Sequence, residues 1–73
     1  MSKKLPALKS KTVIKALERG GFQIRRITGS HYILRKGKQI AVVPFHNKDL
    51  KPGTLMSIIN QAGLTVEEFL DLL

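Results

Sequence analysis

FQIRRITGSHYILRKGKQIAVV, residues 22–43, is the stretch whose reading decides the fold. It predicts three strands joined by two short turns. Phe22–Thr28 opens with strict alternation of apolar and polar residues, then slips by one at Arg25-Arg26, which marks a bulge. Thr28-Gly29-Ser30 is the first turn, and His31–Lys36 is a second strand rich in aromatic and branched residues. Lys36-Gly37-Lys38 is a tight reversal, and Gln39–Val43 is a third strand ended by Pro44. Short connections leave an antiparallel meander as the economical topology.

Working outward, Ser10 is the expected N-cap of a helix over Lys11–Arg19, whose apolar positions 13, 14, 16 and 17 share one face. Gly20-Gly21 supplies a left-handed stop. On the other side, Phe45–Lys51 is a polar connection carrying His46. Pro52 suits the first turn of a helix that runs to Gln61, with Leu55, Ile58, Ile59 and Ala62 at helical spacing and Gly63 at its end. Thr65 and Glu68 have the spacing of a capping box, which opens a last short helix over Phe69, Leu70, Leu72 and Leu73. Residues 1–9 read as a basic N-terminal tail and residues 10–73 as a single domain. The class is α+β in the order α-β-β-β-α plus a terminal helix. The two main helices cover one sheet face, the layout of double-stranded-RNA-binding domains, which contact phosphates and 2′-hydroxyls by shape.

Size and charge narrow the function. A chain of 73 residues has room for one core, and with no cysteine it has neither a disulfide framework nor a Cys-based zinc site. The two histidines and five carboxylates form no metal-ligand pattern, so no metal and no cofactor is expected. No stretch has the length of a membrane span, and a soluble cytoplasmic protein is the expectation. All thirteen Lys and Arg fall in residues 1–51 with only Glu18 and Asp49 against them, a formal +11. Residues 52–73 carry Glu67, Glu68 and Asp71 and no base, a formal −3. So dense a positive body suits a polyanion, of which nucleic acid is the commonest.

His31 is the residue with chemical potential. On the second strand it shares a face with Ile33 and Arg35, while Tyr32 and Leu34 make the better core pair, so His31 points away from the core. RNA carries its own nucleophile, the 2′-hydroxyl, and a nuclease that uses it needs a proton acceptor, a proton donor and cations for the developing phosphorane charge. Histidine performs the first two tasks near neutral pH, and Arg25, Arg26 and Arg35 supply cations. The bland alternative is a strand-edge histidine bonded to its turn, and spacing alone favours that alternative.

Gly29-Ser30-His31 at the start of the second strand resembles the Gly-Ser-His signature of the HicA family of bacterial and archaeal toxins. Val42-Val43-Pro44-Phe45-His46, then Lys48 through Leu55, then Ile58 through Leu64, are similar to the rest of that family's pattern, in order from about Ser10 to Leu64. The resemblance implies a small mRNA interferase of a type II toxin–antitoxin pair: a metal-independent endoribonuclease on a double-stranded-RNA-binding-like fold. It implies mRNA as substrate and a HicB-like antitoxin that covers the catalytic histidine. It also implies a monomer alone and a higher-order assembly with the antitoxin. The catalytic role carries over to His31, as general acid or base, with Gly29 and Ser30 as the turn that presents it.

His46 matches a position often held by histidine in the family, and is an auxiliary residue or a solvent-facing loop residue. Lys48 and Lys51 precede a helix N-terminus, where phosphate is favoured, against a reading as solvated charge. Arg25, Arg26, Ser30, Arg35, Lys36 and Lys38 are the remaining candidates for RNA contact. Tyr32 and Phe45 can stack on bases, but core packing is the expectation for both. A rival reading is a non-catalytic double-stranded-RNA-binding module of the same fold. A DNA-binding regulator lacks its recognition-helix pattern.

Overall fold

In the computed structural model, which describes residues 5–73, the order is α1 (Ser10–Arg19), β1 (Gln23–Thr28), β2 (His31–Lys36), β3 (Gln39–Pro44), α2 (Pro52–Gln61) and α3 (Val66–Asp71). The strands form one antiparallel sheet in the order β1-β2-β3. This is the α-β-β-β-α arrangement with a short C-terminal helix that the alternation and the caps predict. Part of the expected tail, residues 1–4, lies outside the described residues. Residues 5–9 run along the body, where Leu5 and Leu8 pack against the core and the Leu50 N–H donates to the Leu8 carbonyl at 2.8 Å.

Val13, Ile14, Ala16 and Leu17 bury one face of α1. The helix ends in a Schellman arrangement. Gly21 takes φ 98°, its N–H donates to the Glu18 carbonyl at 3.0 Å, and the Phe22 N–H donates to the Leu17 carbonyl at 3.0 Å. Phe22 is thereby turned into the core rather than counted in β1.

Ser10 does not cap this helix; it is its first residue, and Lys9 stands at the cap position with no side-chain bond. The reason is tertiary. Ser10 is fully buried, its Oγ donates to the Pro44 carbonyl at 2.6 Å and accepts from the His46 N–H at 3.4 Å, so the hydroxyl ties α1 to the end of β3.

Leu34, Ala41 and Val43 from the sheet join both main helices in one core, with Leu17, Leu55, Ile58 and Ile59. The opposite sheet face has no such cover: His31 and Arg35 are exposed, and Ile40 is 48 % exposed. β1 is a thinly covered edge, since Ile24 and Ile27 pair with Leu34 and Tyr32 on the helix side yet stay 39 % and 55 % exposed. The other edge is guarded, because the outward N–H of Val42 donates to the Gln61 side chain at 2.9 Å. α3 carries the full capping box, with Glu68 N–H to Thr65 Oγ1 at 3.0 Å and Thr65 N–H to Glu68 Oε1 at 2.8 Å. Its Phe69 is fully buried, so the acidic helix caps the core.

Candidate functional site

The site is built by the two turns and by the bulge. β1 and β2 meet through a two-residue turn, Gly29-Ser30, flanked by the pair Thr28 and His31. Gly29 has φ 56° and Ser30 a negative φ, which is the pattern of a type II′ hairpin turn and leaves the first central position to glycine. The Phe45 N–H donates to the Ser30 carbonyl at 2.6 Å, so this turn is pinned to the segment leaving β3. His31 therefore begins β2 on a fixed backbone, between Thr28 on β1 and Pro44 on β3. Its side chain is exposed. Among the described residues the side-chain hydrogen bonds engage Lys9, Ser10, Arg19, Arg35, Lys36, Gln61, Thr65 and Glu68, and none engages the His31 ring.

The bulge gathers the arginines. Ile24 pairs with Leu34 and Arg26 with Ile33, so Arg25 is the extra residue. A regular strand would send neighbouring side chains to opposite faces. Here Arg25 and Arg26 both line a hollow on the uncovered face, with Arg35, Ile33 and Ile40. His31 lies on that face two residues before Ile33, roughly 7 Å along the strand. Arg35 is exposed and is oriented by its Nε, which donates to the Gly37 carbonyl at 2.8 Å.

The remaining basic candidates do not converge on this hollow. Lys36 turns toward α1, where its Nζ donates to the Gly20 carbonyl at 2.7 Å. Lys38 sits in the Gly37-Lys38 turn, at the end of the sheet away from His31. His46 and Lys48 lie exposed on the connection that leaves β3 beside His31, and Lys51 occupies the cap position of α2. Lys9 holds that connection by donating to the Asn47 carbonyl at 3.0 Å and approaching Asp49 at 3.9 Å.

Phe45 departs from expectation. It is 36 % exposed rather than core, and it stacks on half-buried Tyr32 with ring centroids 5.0 Å apart. The two rings line an open hollow with Lys11, Ile14, Lys15 and Glu18 of α1. Lys11 and Lys15 were not singled out by sequence reasoning. Their one available signal is the i, i+4 spacing that puts both on the same side of α1.

A family model described as the HicA toxin of bacterial toxin–antitoxin systems matches residues 10–64. The chain belongs to the HicA toxin family. The match spans α1 through the end of α2, so it takes in the Gly29-Ser30-His31 turn, the bulged arginine pair and the connection after β3. No curated protein matches the chain. Membership in the HicA family makes this a toxin of a toxin–antitoxin system with an antitoxin as its partner. Among the described residues no helix is long and apolar enough to cross a membrane, and no group of three His, Asp or Glu stands together as a metal site.

Proposed function

We propose that this toxin is an endoribonuclease that cuts mRNA, with His31 as its general acid or base. The observation that carries the reading is the position of His31: an exposed imidazole on a pinned hairpin turn, on the same sheet face as Arg25, Arg26 and Arg35. The arginines hold phosphates on either side of the scissile bond and stabilise the charge that grows on phosphorus. His31 takes the proton of the 2′-hydroxyl, the 2′-oxygen bonds to phosphorus, and the bond from phosphorus to the 5′-oxygen breaks. The products are a 2′,3′-cyclic phosphate and a 5′-hydroxyl, the latter receiving its proton from water, which reaches this exposed face freely. In the alternative assignment His31 gives that proton to the 5′-oxygen and water serves the 2′-hydroxyl. No step requires a metal.

The same face is the one a HicB-like antitoxin would cover, since shielding His31 and the three arginines removes both the proton carrier and the phosphate contacts at once. A non-catalytic RNA-binding module is the second reading. It is favoured by the immediate neighbours of His31, Thr28 and Pro44, neither of which titrates.

The chemistry is tested with an RNA whose cut site has been mapped and then given a single 2′-deoxynucleotide on the 5′ side of the scissile bond. Cleavage there is expected to stop while binding persists. Undiminished cutting at the deoxy position would exclude the 2′-hydroxyl as nucleophile.

A further inference from the structure

The hollow between α1 and the sheet has no part in the chemistry above, and its composition is unusual for a solubilising surface. Its wall is the Tyr32–Phe45 stack, with the rings inclined by 26° and Phe45 open to solvent. Lys11 and Lys15, one helical turn apart on α1, stand over it, and Ile14 closes its floor. Its volume of about 320 Å³ suits one nucleotide better than a larger ligand. A flat apolar ring beside two cations is the combination that holds single strands, the base stacking on the ring and its phosphate meeting the ammonium groups. Glu18 adds one negative charge to the wall, so the cavity suits the N–H edge of a base while the phosphate stays at the lysine rim.

The position fits the same use. Phe45 follows Pro44, which pairs with His31, and the Phe45 N–H holds the Ser30 carbonyl of the turn that presents His31. The hollow thus opens at the His31 end of the sheet, on the helix side, and a single strand passing round that end reaches both.

We infer that the Tyr32–Phe45 hollow binds one unpaired nucleobase of the RNA substrate, so that this toxin selects cleavage sites next to unpaired nucleotides. The inference rests on the ribonuclease reading of His31 and assigns a second, separate contact to the same substrate.

The test uses a His31→Ala background, which prevents cleavage, and two probes: a single-stranded RNA octamer and a blunt 16-base-pair RNA duplex, both followed by fluorescence anisotropy. Phe45→Leu keeps the apolar volume and removes the ring; Lys15→Gln, at an exposed helix position, serves as a second variant that leaves packing untouched. Each is expected to weaken octamer binding, Phe45→Leu by about tenfold as one base–aromatic stack is lost. Phe45→Leu is expected to leave duplex binding within twofold. Equal losses on both probes, or no loss on the octamer, would overturn the base site while leaving the arginine face as the RNA contact; the second outcome would leave the hollow to a protein partner. If the His31→Ala protein binds neither RNA, the ribonuclease reading falls and the base site falls with it.

Discussion

Ser10 shows how one hydroxyl organises the functional end of the molecule. Its Oγ holds the Pro44 carbonyl and the His46 N–H from within the first turn of α1, in a fully buried setting. Removing it leaves both backbone groups without that partner in a partly buried setting, where an unmade bond costs about 1–3 kcal/mol. Ser10→Ala is therefore expected to lower the urea midpoint by that amount of stability, and to reduce cleavage further because Pro44 braces His31. A stability equal to wild type would show that water satisfies these groups instead. Gly29 acts differently. A Cβ there meets nothing within 4 Å, so Gly29→Ala carries only the cost of a positive φ, about 1–2 kcal/mol. It is expected to fold with a modest loss in thermal stability, and a larger loss would reveal crowding at the turn.

Among the elements, β1 is the decisive one. A bulge at Arg25 lets a single strand put Ile24 and Ile27 toward the helices and both arginines toward the open face. The break in alternation at Arg25-Arg26 was legible in the sequence because the period of a strand is strict, and so were the turn glycines and the α3 capping box. The role of Ser10 was not, because a serine before an apolar run looks the same whether it caps its own helix or reaches a distant strand. The exposure of Phe45 is hidden from the sequence for a similar reason: after Pro44 the chain is held by the bond to Ser30, a contact between residues remote in sequence. The element-level prediction concerns charge. Arg26→Gln is expected to weaken RNA binding and to reduce the slope of log affinity against log salt by about one, whereas Lys36→Gln, whose Nζ is committed to the Gly20 carbonyl, leaves the slope nearly unchanged. Equal effects of the two substitutions would place the RNA contact elsewhere on the basic surface.

At the scale of the whole molecule, a positive body carries its acid in one place. Glu67, Glu68 and Asp71 sit on α3, a helix that earns its position through Phe69 and through the Arg19 guanidinium, which donates to the Leu72 carbonyl at 2.9 Å. Phe69→Ala is expected to cost about 3–5 kcal/mol, a large share of the stability of so small a domain, and to appear as a marked fall in the urea midpoint. The helix is thus part of the fold, and the basic charge lies on the sheet and on α1, the surfaces to which the proposed function assigns RNA. Family membership, the exposed sheet face and the pinned Gly29-Ser30 turn all bear on one claim, that His31 performs acid–base chemistry on RNA. The measurement that tests it most directly is cleavage of a structured mRNA in EDTA by wild type and His31→Ala at matched RNA occupancy. The account predicts that wild type cuts and that the variant binds without cutting. A variant that cuts at the wild-type rate would make His31 an ordinary strand residue, and a wild type that binds without cutting would leave the fold as a binding module.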